Sequence, residues 1–175
     1  MDFKALIEQR RSVRSYAAGI SREDMETILT RAQQAPSWKN RQASRCYAVL
    51  SPEKIAEVSA RALPGFNQNS AKNAALIVTT YVKNVVGFTD GAPDNEVGNG
   101  WGAYDLGLHD AYLVLAASDM GYDTLIMGLR DAQALRELLA IPEDEEIMSV
   151  IAVGKRDKAP NLRPRKPLEE VTRIY

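Results

Sequence analysis

The sequence predicts a single domain of the α+β class spanning residues 1–175. Three observations carry that expectation. Serine-capped amphipathic helices are interspersed with short β-branched runs bounded by glycine and proline. One long segment, 105–120, is apolar around much of its circumference and must be buried on several sides. With 45% hydrophobic and 26% charged residues, a chain of this length buries roughly 70% of its unfolded surface and folds without staples.

The elements follow in order. Phe3, Leu6 and Ile7 are spaced i, i+3, i+4, so the chain opens on a short amphipathic helix that delivers Arg10 and Arg11 to its end. Ser21 caps a second helix with Met25, Ile28, Leu29 and Ala32 on one face, ending near Ala35-Pro36. A loop, Ser37-Trp38-Lys39-Asn40-Arg41-Gln42, leads into a strand over 46–50. Ser51-Pro52 starts a third helix, with proline at the first helical position. Residues 76–82 are the clearest strand. The segment 84–102, with Gly87, Gly91, Gly98, Gly100, Pro93 and three acids, reads as a long mobile loop or lid. The apolar helix 105–120 stops at Gly121. A strand over 124–127 ends at Gly128, and Asp131 caps a helix with Leu135, Leu138 and Leu139 inward. A last buried strand covers 147–153. The charged, proline-rich tail 155–175 cannot form a core alone, so it lies along the body or across a partner subunit.

Composition excludes several classes. The net charge of −1 argues against general nucleic-acid binding, which usually needs a basic domain. Cys46, the single cysteine, has no internal disulfide partner and reads as a small buried hydrophobe. A lone histidine, His109, cannot build a zinc site, and no acidic run has calcium-loop spacing, so no metal is expected. His109 itself reads as a helix-packing residue. No stretch is long and apolar enough to span a membrane, and Met1-Asp2-Phe3-Lys4 does not open a signal peptide, so a cytoplasmic protein is expected.

Two basic clusters stand out from the near-neutral background: Arg10-Arg11-Ser12-Val13-Arg14 and Arg163-Pro164-Arg165-Lys166-Pro167. Charge runs are usually solvated surface. If folding joins these two, however, arginine forks and the Ser12 hydroxyl make a phosphate site. Pro164 and Pro167 stiffen the tail around Arg165 and lower its ordering cost. Gly98-Asn99-Gly100-Trp101-Gly102-Ala103 fits a dinucleotide fingerprint by letter, but a polar acidic segment precedes it where a buried strand is required. Ser37, Asn40 and Gln42 form a polar set in one loop, and Trp38 beside them is either core or a stacking wall.

Four segments in order resemble the nitroreductase family of FMN-dependent NAD(P)H oxidoreductases. They are Arg10-Arg11-Ser12-Val13-Arg14-Ser15-Tyr16, then Ala35-Pro36-Ser37-Trp38-Lys39-Asn40-Arg41-Gln42, then Leu125-Ile126-Met127-Gly128, and finally the tail from Arg163 to Val171. The resemblance implies a three-layer fold, with a central, mainly antiparallel sheet flanked by helices. It also implies an intertwined homodimer with FMN at the subunit interface and the C-terminal tail crossing to the partner.

In that scheme Arg10, Arg11 and Ser12 contact the ribityl chain and phosphate, completed by Arg163 and Arg165. Arg14 sits near the N1/O2 edge of the flavin ring, where positive charge favours the reduced anionic form. Ser37 and Asn40 come from the other subunit. Asn67, with Asn69 as the alternative, contacts the flavin, and the backbone at Met127 and Gly128 bonds near N5. Trp38 and Lys39 line the substrate access. No side chain is required as acid or base. The implied cycle is ping-pong: NADH or NADPH reduces the flavin, and a nitroaromatic, quinone or related conjugated small-molecule acceptor takes two electrons. Two other readings share the site: a specialised flavin or metabolite reductase, and a non-enzymatic flavin-binding or regulatory protein. Ala43, where the family loop usually has proline, the His109-Asp110 pair and the short middle depart from the family pattern.

Overall fold

The computed structural model describes residues 2–160 and 163–175. Helix α1 (Phe3–Gln9) is capped by Asp2, whose carboxylate accepts from the Ala5 amide at 3.0 Å. Strand β1 (Tyr16–Ala18) follows, then α2 (Arg22–Ala32), capped by Ser21. Strand β2 (Ser44–Val49) leads into α3 (Pro52–Ala62), α4 (Gly65–Ser70) and β3 (Ala75–Val82). A two-stranded hairpin, β4 (Phe88–Thr89) and β5 (Ala92–Pro93), precedes the long helix α5 (Gly100–Asp119). Then come β6 (Asp123–Met127), α6 (Ala132–Leu139), β7 (Glu145–Arg156) and the short α7 (Leu168–Val171).

The main sheet runs β1-β7-β3-β2, with β6 also on β7, and every strand pairing in it is antiparallel. Strand alternation sends successive residues to opposite faces, and each face meets its own helices. Leu76, Val78, Val150 and Ala152 join one buried cluster with Val58 of α3 and Leu135 of α6. Ile77, Ile151 and Val153 join the other with Met25 and Ile28 of α2 and Leu113 and Ala117 of α5. The three-layer α+β architecture is therefore as expected.

Several elements differ from the sequence reading. Helix α5 begins at Gly100, five residues before the expected start, so the glycine-rich run opens a helix. What precedes it is a hairpin and turns, not a buried strand, which removes the dinucleotide fingerprint. Segment 84–102, expected as a loop, holds that hairpin and is tied down locally. Asn84 and Asn99 exchange two hydrogen bonds at 2.7 and 2.9 Å, and Trp101 donates to Asn95 at 2.9 Å. Strand β1 and helix α4 were missed: the first is three residues long, and the second, Gly-Phe-Asn-Gln-Asn-Ser, is rich in residues of low helix propensity. The final strand is twelve residues rather than seven, because its ends carry charged residues, Glu145 and Glu146 at one and Lys155 and Arg156 at the other, that the apolar pattern does not mark.

Candidate functional site

Chain start and chain tail converge through backbone pairing. The Val13 amide donates to the Thr124 carbonyl at 3.0 Å, which pins the first basic cluster beside β6. Tyr16 and Ala18 pair with Arg156 and Lys155. One residue further, the Asp157 amide donates to the Ser15 carbonyl at 3.0 Å, and Ser15 Oγ donates to the Asp157 carboxylate at 3.0 Å. The tail therefore leaves the sheet alongside Arg14.

The result is a cavity of about 640 Å³ walled by Arg10, Arg11, Ser12, Arg14, Ser15, Lys158, Arg163 and Arg165. Both predicted clusters meet there. Lys158 was missed; its signal was its place two residues after the last paired strand residue, Arg156, within the same charged tail. Burial, followed by the neighbouring Arg165 and Arg11 guanidiniums, pushes Arg10 below the ordinary arginine value. Like charges held this close favour a bound anion. Arg11 donates through Nη1 to the Arg10 carbonyl at 2.7 Å, while its buried Nε has no partner among the described residues. Crowded cations, an unpaired buried donor and a serine hydroxyl fit a phosphate and a polar chain attached to it. The residues present thus fit the phosphate end of FMN.

A second group forms at the C-terminal end of β6. Asn67, on α4, is buried and donates through Nδ2 to the Leu129 carbonyl at 3.0 Å. Arg130 donates to the Gly128 carbonyl at 3.0 Å and also to the Ile147 carbonyl. Asn67 and the Met127-Gly128 turn are thereby brought to one place, whereas Asn69 is exposed. Met127 is buried and Gly128 is open to solvent.

Ser37, Trp38, Lys39 and Asn40 stand apart from the basic cavity. Their loop contains a tight 3-10 turn (Trp38–Asn40) with Lys39, Asn40 and Gln42 all in the left-handed region, at φ 48°, 56° and 49°. Such backbone persists only where neighbours over-determine it. Four contacts do so. The Trp38 amide donates to the Asp105 carboxylate at 2.8 Å. The Trp38 and Trp101 rings lie 4.8 Å apart at 48°, and Lys39 pairs with Asp94 at 3.8 Å. The fourth is internal: the Gln42 amide donates to Ser37 Oγ at 3.1 Å. Burial pushes the Asp105 carboxyl up, and the Trp38 amide partly opposes that. Ser37 lines a separate cavity of about 340 Å³ between α2, β2 and α5, and Asn40 is exposed. Cys46 is half-buried and lines this cavity, where a buried residue was expected; burial and then Asp110 push its thiol up to about 12. Among the described residues, no group of three or more His, Cys, Asp and Glu could hold a metal, and no helix is long and apolar enough to cross a membrane.

A model of the nitroreductase family matches residues 7–155. The chain belongs to the nitroreductase family. It is 30% identical over 159 residues to an Archaeoglobus fulgidus protein described as an NADH dehydrogenase/NAD(P)H nitroreductase, covering 85% of this chain and 82% of that one. A Bacillus subtilis protein described as an NAD(P)H nitroreductase is 34% identical over 82 residues, or 46% of this chain; the match spans only 38% of that protein. Among solved structures, a protein from Exiguobacterium sibiricum described as a nitroreductase, in complex with FMN, superposes with a TM-score of 0.88. It is 23% identical and covers 100% of this chain and 98% of that one, a likeness of fold. The family match stops at residue 155, so the basic tail of this nitroreductase-family chain is placed by its own contacts rather than by the match.

Proposed function

We propose that this chain is one FMN-binding domain and acts as an FMN-dependent oxidoreductase. NADH or NADPH supplies the electrons, and nitroaromatic, quinone or related conjugated acceptors receive two of them in a ping-pong cycle. The observation that carries the reading is the convergence of Arg10, Arg11, Ser12, Arg14, Arg163 and Arg165 on one cavity. The names of the relatives and the FMN of the similar fold support it.

Bound FMN supplies a ring that exchanges hydride at N5 with one small molecule at a time. The protein's part is to bind, orient and admit. Arg10, Arg11, Ser12, Arg163 and Arg165 hold the phosphate and ribityl chain, and Arg14 sets positive charge beside the N1/O2 edge. Asn67 and the Met127-Gly128 backbone bound the ring at the end of β6. Ser37 and Asn40 serve the partner's flavin across a homodimer interface, which accounts for their separation from the basic cavity within one chain. The tail crosses to that partner, and Trp38 and Lys39 flank the access. A location in the cytoplasm accords with this chemistry.

The test is anaerobic addition of NADH and of NADPH to purified protein, followed by a panel of acceptors. Yellow protein that bleaches with a nicotinamide and regains colour with a quinone is the expected result. Colourless protein that does not take up FMN overturns the reading. Yellow protein that neither nicotinamide bleaches points to a flavin-binding protein without turnover.

A further inference from the structure

Among the described residues, the buried carboxylate of Asp105 has no cation beside it. It is 5% exposed, and its one hydrogen bond there is the one that Oδ2 accepts from the Trp38 amide. Oδ1 has no partner, yet it is not sealed in the protein, so it opens into the cavity of about 340 Å³ that Asp105 lines. Burial pushes the carboxyl up, a penalty that a cation in the cavity offsets. His109 stands one turn further along α5, 9% exposed, on the same cavity. A buried polar chain orients its ring. Nδ1 lies 3.3 Å from Asp110 Oδ1, and Asp110 Oδ2 accepts from the Thr79 hydroxyl at 3.1 Å. A carboxylate at Nδ1 holds the ring hydrogen there and leaves Nε2 as an acceptor. Among the described residues Nε2 has no partner.

The buried end of the cavity therefore offers acceptors and calls for a donor. A buried carboxylate is costly unless a positive group pairs with it. The rim is different. Gln33, Gln42 and Arg45 are exposed, and Ser37 and Ser44 are half-buried. Ser37 Oγ already accepts from the Gln42 amide at 3.1 Å. Arg45 Nη1 donates to the Gln42 and Ser44 carbonyls at 2.8 and 2.9 Å, which folds the guanidinium back on its own loop and takes up those oxygens. Positive charge at the rim repels a second cation there, so the fitting ligand carries its charge at the inner end only. The remaining lining, Leu29, Ala35, Pro36 and Cys46, is apolar. A volume of about 340 Å³ stands at the small end of ligand cavities.

We propose that this cavity binds a small primary amine, with its ammonium at Asp105 Oδ1 and His109 Nε2 and its apolar body on Leu29, Pro36 and Cys46. Two of the three ammonium hydrogens meet these acceptors. A bond between two charged groups is roughly twice as strong as a neutral one, so charge rather than shape sets the affinity. The site goes beyond the flavin reading and does not rest on it.

The probe is benzylamine, an ammonium at neutral pH, with benzyl alcohol as its uncharged counterpart. Each is titrated calorimetrically into the full chain as purified. One benzylamine per chain is expected, bound at least about tenfold tighter than the alcohol. Asp105→Asn keeps an oxygen for the Trp38 amide and removes the charge. It lowers benzylamine affinity at least about tenfold and leaves the alcohol unchanged. Cys46→Leu fills the apolar wall and weakens both ligands by a similar factor. A single cooperative thermal transition shows that each variant is folded; if Asp105→Asn does not fold, Cys46→Leu decides. No benzylamine binding, equal affinity for the alcohol, or unchanged benzylamine affinity in the deciding variant overturns the proposal. FMN uptake is scored separately by flavin fluorescence. Benzylamine binding by a chain that takes up no FMN leaves this site standing and removes the oxidoreductase reading. FMN uptake without benzylamine binding does the reverse.

Discussion

Arg163 and Arg165 show how a residue acquires a role that its neighbours in sequence cannot give it. Both are exposed and sit in a proline-flanked tail, yet both wall the same cavity as Arg10. Each charge-assisted hydrogen bond to a phosphate contributes about 1.5–3 kcal/mol net. Arg163→Ala with Arg165→Ala therefore removes at least about 3 kcal/mol, or more than 100-fold in FMN affinity. Titration followed by flavin fluorescence checks this, and an unchanged affinity removes the tail from the site. Asp105 carries the opposite lesson. As a letter in an apolar helix it is an anomaly; in the fold it is the acceptor that holds a strained loop. Its partner is 67 residues away, so no local pattern could have paired them.

At the scale of elements, the short strand β1 matters more than its length suggests. It is the fastening between the first basic cluster and the start of the tail. Gly154 allows that close approach: a Cβ there would stand 2.5 Å from the Ala18 carbonyl oxygen and 3.0 Å from the Tyr16 ring. The obstruction is backbone, so it cannot rotate away. Gly154→Ala is expected to cost about 1–3 kcal/mol, the usual range for overpacking, read as a lower urea midpoint. FMN affinity should fall with it, since Ser15 and Asp157 lose their registry. Caps and apolar periodicity made α2, α3 and α6 legible from their letters alone. Strand β1 and helix α4 were not legible, because their stability comes from what they pack against.

For the whole molecule, the exposed apolar residues call for a partner. Phe3, Tyr112, Leu168, Val171 and Ile174 are 70%, 43%, 65%, 63% and 88% exposed in one chain. Apolar surface of this kind marks an interaction site, and α1, α5 and the tail supply it together. The chain is expected to sediment as a homodimer. Truncation after Pro167 should shift it toward the monomer and weaken FMN binding even though every arginine of the cavity remains. Analytical ultracentrifugation with flavin absorbance reads both. Full-strength FMN binding by a monomer argues against a shared site.

Sequence alone determined the class of the fold, most element positions and the identity of the cations, because these depend on local periodicity, capping and charge. It also carried the family resemblance, which the match over residues 7–155 bears out. Tertiary structure decided which of those residues stand together. It put Arg10 beside Arg165, Asn67 against the turn after β6, and His109 with Asp105 in a cavity of their own. The physical reason is that long-range strand pairing creates these neighbours. Antiparallel register along β7 gathers β1, β3 and β6 at fixed offsets, and a one-residue change of register would turn each side chain to the other face.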